Sequence, residues 1–437
     1  MSQSTSVAFP INRTELGAVR RRAILSCAIG NFFELFDFTI YGFFAVPISR
    51  AFFPAGDPVL SMVSTFATFG VAFLMRPVGA VVLGNYGDRA GRRAALVVTI
   101  GLMATATGVT GLIPTYASIG IWAPLMLLIC RMVQGFSTGG EWGGAATFLV
   151  EYAPPAKRGI TGSWQQFSTQ IGSLAGSTSA AILAATLTTA EFYGWGWRVP
   201  FLFGFLLGPV GYYLRRKVAE TPVFTDTAEN RKLERAPLRA AVRDYGSRMI
   251  QAFGLSIIGC TAGFVFTVYL VSYAINTMQL PAGEALICAV VSGVIIVTLT
   301  PFFGALSDRI GRRPLILASA TLNLLFDYPL FMLAIHGRSQ GTLLLALAAN
   351  AVFQSMYTGT IPSILAEMFP TRVRYTALSV SYGFAVMLFG GFGPLISTWL
   401  VKLTGNPYSP ALYVMAAGAL SAAAILSMKE YLNAPLE

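Results

Sequence analysis

Four side chains near the start of the chain could do chemistry together. Asn31, Glu34, Asp37 and Tyr41, within GNFFELFDFTIY, follow one another at spacings of three and four. Residues so spaced share one face of a helix. Two more stripes repeat the pattern. Arg131, Gln134, Thr138 and Glu141 form one, and Ser163, Gln166, Gln170, Ser173 and Ser177 the other. The weaker counterparts later in the chain are Tyr269 and Tyr273, then Asn350, Gln354 and Tyr357, and finally Tyr382. Carboxylates and an arginine that meet in a dry place form a proton switch. Burial favours the neutral acid, a guanidinium favours the anion, and moving one against the other takes up or releases a proton. The pairing expected first is Asp37 with Arg131, with Glu34 and Glu141 as further proton sites. The competing reading of each is a permanent structural ion pair.

The elements that carry these residues are membrane spans. Hydrophobic residues make up 55% of the 437 and charged residues 11%, against roughly 25% charged in a soluble domain. Uncharged stretches near the ~20 residues needed to cross a bilayer recur throughout. About twelve spans are expected, at 22–49, 58–84, 94–114, 119–150, 160–186, 198–214, 247–276, 284–306, 314–335, 339–368, 375–402 and 408–429. An ionisable group at such depth marks a substrate or ion pathway, and the stripes should face one another or a wet cavity. The alternating short segments of a porin-type barrel are absent.

The net charge of +11 sits in short loops on alternate sides of the spans, which places both termini in the cytoplasm. It does not form a basic soluble domain for nucleic acid. Cys27, Cys130, Cys260 and Cys288 all lie in apolar runs and read as small buried residues rather than metal ligands or disulfides. His336 falls in a loop and is expected to be solvated, the Asn12 sequon lies in a cytoplasmic tail, and no cleavable signal peptide is evident. No nucleophile–base pair, metal cluster or nucleotide-binding loop appears, which excludes an enzyme and a nucleotide-driven pump.

A polar segment, 215–246, divides the chain into 1–214 and 247–437, six spans each, and reads as a cytoplasmic linker. The two parts repeat one another. GNYGDRAGRR (84–93) recurs as GALSDRIGRR (304–313), and Glu151, Pro154 and Arg158 as Glu367, Pro370 and Arg374. Parallel repeats of this kind build secondary transporters with a midplane site between the halves.

On these residues the chain resembles the major facilitator superfamily. GNFFELFDFTIYGFFA (30–45), FLMRPVGAVVLGNYGDRAGRR (73–93), CRMVQGFSTGGEWGG (130–144) and GWGWRVPFLFG (194–204) further resemble its metabolite:proton symporters. SWQQFSTQ (163–170) and ISTWLVKLTG (396–405) are similar to the citrate and tricarballylate carriers. The resemblance implies two six-helix bundles related by a pseudo-two-fold axis, alternating access, no cofactor and a monomer in a bacterial inner membrane. It implies a latch at the cytoplasmic end, made of Asp88, Arg89, Arg92, Glu151, Arg158, Asp308, Arg309, Arg312, Glu367 and Arg374. Sugar–proton symporters of the superfamily similarly set an acid in the first span opposite an arginine in the fourth.

The expected cargo is an organic di- or tricarboxylate such as citrate or tricarballylate. Phthalate-like aromatic acids, α-ketoglutarate, shikimate and betaine are the alternatives, and an exporter or a channel is further off. Arg131 and Arg76 are the expected carboxylate clamps, because a guanidinium binds a carboxylate in two places. Asn31, Tyr41, Gln134, Gln166, Gln170, Gln354, Tyr357, Tyr269 and Tyr382 would complete the hydrogen bonding. Lys402 is expected to reach toward the membrane interface, and Asp327 to serve as a structural partner at a helix contact. The glycines of 390–393 are expected to bend the eleventh span.

Overall fold

The computed structural model describes residues 13–54, 56–90, 92–139, 141–151, 153–216 and 237–430, and these are helical without a strand. Apolar runs of this length have no alternative in a bilayer, since only a helix satisfies every backbone group internally. Twelve spans result. The first is Arg13–Phe43, bent by 66° into Ala45–Phe52. The second and third are Pro58–Ala90 and Arg92–Leu112, and the fourth is broken into Trp122–Ser137 and Glu141–Glu151. Arg158–Thr186 and Arg198–Arg216 complete the first half.

The second half opens with Pro237–Phe264, which widens into a π-helical turn at Val265–Leu270 and ends at Val271–Asn276. Ala282–Ile310, Arg312–Gly337 and Gln340–Glu367 follow. The eleventh span runs Thr371–Ala385, a π turn at Val386–Gly391, then Gly393–Thr404, and the twelfth is Ser409–Leu426. The expected bend in the eleventh span is therefore a one-turn widening of the helix.

Among the described residues, six helices are long and apolar enough to cross a membrane alone, and the bent first pair makes a seventh. The third, fourth, fifth, sixth and tenth spans fall outside that group, and the fifth and tenth carry polar side chains toward the interior. Gln165, Gln166, Asn350 and Gln354 are all buried.

One expectation changes. The fourth-span stripe is not continuous, because the helix stops at Ser137 and restarts at Glu141; Gly139 lowers the cost of leaving helical geometry there. Within the 215–246 segment, the helix of the sixth span runs to Arg216. Helix resumes at Pro237 and passes through a kink at Tyr245 into the seventh span, and residues 217–236 lie outside the described part.

Glycine sets how closely the helices approach. A Cβ on Gly135 would lie 1.7 Å from the Ala72 carbonyl oxygen, and one on Gly79 1.8 Å from that of Phe136. Backbone contact of this kind, typical of transmembrane packing, locks the second span against the fourth and fixes where Arg76 can reach. In the repeated loop motif Gly311 has φ of +98°, a left-handed turn between the eighth and ninth spans that a side chain would strain.

Candidate functional site

Two acid–arginine pairs hang from the first span. Glu34 Oε1 lies 2.8 Å from Arg76 Nη1 of the second span. Asp37 Oδ2 lies 3.1 Å from Arg131 Nη1 of the fourth. Three helical residues turn the side chain by about 60° from the starting face, and that turn separates two environments.

Glu34 and Arg76 line a cavity of about 110 Å³ between the halves. The first half contributes Trp142, Gln166, Thr169, Gln170, Ser173 and Ser177 to its wall, and the second half Cys260, Phe264, Gln354, Tyr357, Thr358 and Tyr382. Among the lining residues Arg76 is the one cation and Glu34 the one acid. Arg76 stacks on Phe38 and Phe73, at 4.7 and 4.5 Å from the ring centroids. Gln354 donates from Nε2 to the Gly259 carbonyl at 2.9 Å, and the Tyr357 hydroxyl donates to the Ser256 carbonyl at 3.3 Å.

Asp37 and Arg131 do not line the cavity. The Asp37 carboxylate also accepts from the Thr107 hydroxyl at 2.6 Å and from Gln134 Nε2 at 2.7 Å. Arg131 Nη1 donates to Gln134 Oε1 at 2.8 Å, and the guanidinium lies over the rings of Phe38 and Tyr41. The group is sealed inside the first half, with Arg131 fully buried. A carboxylate with three donors and a guanidinium with aromatic faces can coexist there without water.

The other expected substrate contacts divide in the same way. Gln166, Gln170, Gln354, Tyr357 and Tyr382 line the cavity; Arg131, Asn31, Tyr41, Gln134 and Tyr269 do not. Asn31 Nδ2 donates to Ser168 Oγ at 3.3 Å, the Tyr41 hydroxyl donates to the Thr65 carbonyl at 3.1 Å, and Tyr269 packs beside Tyr273 in the π turn. Glu141 starts the second piece of the fourth span, close enough for its charge to act on Glu34. Asn350 turns toward the ninth span, where its Nδ2 donates to Asn323 Oδ1 at 3.1 Å. Asp327 is fully buried, and neither of its oxygens has a hydrogen-bond partner.

Charged contacts between the halves flank the cavity at both ends. At the end carrying the repeated loop motif, Arg374 Nη1 meets Glu151 Oε1 at 2.5 Å and Arg158 lies 3.9 Å from Glu367. Asp308 accepts from the Gly159 and Ile160 backbone N–H groups at 2.8 and 2.9 Å, capping the fifth span from the opposite half. Arg312 ties Asp308 to Glu367 within the second half, and Arg309 is exposed. Arg158 thus meets Glu367 across the halves. The side chains of Asp88, Arg89 and Arg92 lie outside the described part.

At the far end Lys402 Nζ lies 3.2 Å from Asp57 Oδ2, an exposed ion pair across the halves. His336 is exposed, and its Nδ1 lies 2.7 Å from the Tyr408 hydroxyl.

Known proteins share this architecture. Residues 23–240 match the model of sugar (and other) transporters, and residues 255–435 that of the major facilitator superfamily. The chain is 37% identical over 431 residues to the proline/betaine transporter of Escherichia coli (strain K12), covering 95% of this chain and 85% of that one. The chain belongs to the major facilitator superfamily. Another superfamily relative is the citrate-proton symporter of Klebsiella pneumoniae, 39% identical over 398 residues, covering 91% and 89% of the two chains. The superfamily fold is matched in three dimensions by the proton:xylose symporter XylE bound to 6-bromo-6-deoxy-D-glucose. That match has a TM-score of 0.75 at 18% identity and covers 96% and 98% of the two chains. The relatives are transporters, which agrees with the absence of catalytic motifs in the sequence.

Two features escaped the sequence reading. Trp142 lines the cavity and stacks on Tyr382 of the opposite half, with ring centroids 3.7 Å apart and planes 9° apart. The GEWGG run that holds it reads as helix packing, so no signal set the indole apart. Asp57 sits in a loop whose partner is some 345 residues away.

Proposed function

We propose that this chain is a proton-coupled importer of a small carboxylate-bearing metabolite, working by alternating access with the loop-motif end and both termini in the cytoplasm of a bacterial inner membrane. The observation that carries the reading is the pair of acid–arginine contacts on one helix, one at the inter-half cavity and one sealed away from it.

Arg76 is the carboxylate site. While Glu34 occupies the guanidinium the lining is electrically neutral, and an arriving carboxylate exchanges with Glu34 for the same donors. Charge matching therefore favours a zwitterion or a monocarboxylate. The six lining aromatics, Phe43, Phe73, Trp142, Phe264, Tyr357 and Tyr382, give a cationic ammonium group ring faces to rest on. A proline- or betaine-like cargo is accordingly placed first, ahead of the di- or tricarboxylate favoured by sequence alone, which would bring two or three charges to a single cation. Citrate remains the second reading because of the citrate-proton symporter among the relatives.

Asp37 is the proton carrier. A proton on Asp37 releases Arg131 and Gln134, the contacts that tie the first span to the fourth, so protonation loosens the half that must rock. Inter-half contacts at both ends of the cavity then part in turn.

The test is uptake by proteoliposomes of labelled glycine betaine, L-proline and citrate, with and without an imposed proton gradient, acid outside. Accumulation of one of these driven by the gradient is expected. Uptake of all three that ignores the gradient would sink the coupling, and accumulation of citrate alone would reverse the order of the two substrate readings.

A further inference from the structure

The cavity carries two buried N–H donors that no protein atom accepts from. Arg76 bonds Glu34 through Nη1, while its Nε has no partner. Trp142 is 7% exposed, lines the same cavity, and its indole Nε1–H has no acceptor. A buried donor left unpaired in this way destabilises the protein by an amount comparable to a lost hydrogen bond. Two such donors lining one cavity, one of them on its one cation, make a place for an anionic carboxylate.

The position of Trp142 gives it a second attachment. It is the second residue after the break in the fourth span, and its ring lies flat on Tyr382 of the eleventh span. Tyr382 in turn is close enough to Arg76 and Glu34 to feel both charges. The neighbours of Trp142 are tied to the same helix. A Cβ on Gly143 would strike the Ser379 hydroxyl at 1.9 Å, and one on Gly144 would touch the Tyr375 ring at 3.1 Å. Arg76, Tyr382 and Trp142 therefore line one cavity, and the stack of Trp142 on Tyr382 crosses from the first half to the second.

We propose that Trp142 is a substrate-binding residue: its indole N–H donates to one carboxylate oxygen of the cargo while Arg76 holds the other. The cargo then bears on a ring that belongs to the contact between the halves, so occupancy of the site is felt directly where the halves separate. This rests on the assignment of Arg76 as the carboxylate site.

The discriminating variant is Trp142→Phe, which keeps an aromatic face for Tyr382 and removes the donor. A second variant replaces Trp142 with 3-benzothienylalanine, an isostere of nearly the same size and shape in which sulfur stands where the N–H was. Each is assayed in proteoliposomes for KM and Vmax with the three labelled probes, beside wild type and Arg76→Lys. Loss of one hydrogen bond to a charged acceptor should raise KM roughly 10- to 100-fold. Vmax at saturation should stay within about twofold of wild type, because the stack is retained.

A wild-type KM in the isostere overturns the inference, whatever the behaviour of Trp142→Phe. If Arg76→Lys weakens binding and the isostere does not, the role of Trp142 fails alone. If Arg76→Lys leaves the KM of every probe unchanged, the carboxylate site itself is wrong and the inference falls with it.

Discussion

Glu34–Arg76 and Asp37–Arg131 are the same chemistry three residues apart, and they differ in almost everything else. The first pair opens onto a cavity shared by both halves; the second is enclosed by Thr107, Gln134 and Tyr41 inside one bundle. The Glu34 carboxylate has one cation, and both line the cavity. The Asp37 carboxylate has three donors, and any change of its charge must disturb the packing of the first half. The comparison teaches that the chemical role of an acid–arginine pair is set by what its helix face looks into, not by the pair itself. Phe38 links the two, since both guanidinium groups lie over its ring, at 4.7 and 4.8 Å.

The largest break in this comparison should come from Arg131→Met. It leaves Asp37 buried without its cation, and losing one partner of a buried pair costs about 3–5 kcal/mol. Thermal unfolding in detergent and the monodisperse fraction should both fall sharply, and Arg76→Met at the cavity should fall less. A smaller loss from Arg131→Met than from Arg76→Met would contradict the ranking.

Arg76→Lys should act on transport instead of folding. It keeps the charge but loses the two-pronged geometry, so KM should rise by one to two orders of magnitude, or about 1.4–2.8 kcal/mol, with the melting temperature nearly unchanged. Phe38→Leu removes a ring from beneath both guanidinium groups, each contact being worth about 0.5–2 kcal/mol. It should weaken both pairs at once, lowering the melting temperature and raising KM in the same variant. An effect on one readout alone would show that the pairs are not joined through that ring.

The smallest effect is expected outside the bundle, at the exposed pair of Asp57 and Lys402. The Val59 backbone N–H and the Lys402 ammonium hold the Asp57 carboxyl below the usual carboxylate range. A depressed acid contributes its stabilisation at neutral pH and loses it only as pH falls through the lowered value. Asp57→Asn should therefore match wild type in unfolding at 0.5 M salt, where such pairs are screened. At low salt it should differ slightly near pH 7, and the difference should shrink on acidification below pH 4.

The spans, the repeat and the concentration of charge in the first half were legible because each leaves a local or periodic trace in the residues. The polar stripe at 31–41 could be laid on a helix, and Arg131 could be matched to Asp37 on family likeness. The division of that stripe between a cavity and a sealed core was not legible. It depends on how the second span is pressed against the fourth by Gly79 and Gly135, which steers Arg76 toward Glu34. A break after Ser137 separates Glu141 from the helix that carries Arg131 and Gln134. Pairings such as Glu151 with Arg374 and Asp57 with Lys402 join residues from different halves. No periodicity within one helix encodes how two rigid bundles dock. Trp142 was hidden for a related reason, since an indole in a glycine-rich helix announces packing until its neighbours are known.

The central claim is that the two pairs do different work, and Asp37→Asn tests it most directly. The measurement is made in proteoliposomes on whichever probe wild type accumulates, comparing gradient-driven accumulation with counterflow exchange at equal pH on both sides. The variant should lose accumulation while exchange and its KM stay near wild type, because Asp37 does not line the cavity. Accumulation against the gradient at the wild-type level would contradict the account, and so would a KM for exchange as weak as that of Arg76→Lys.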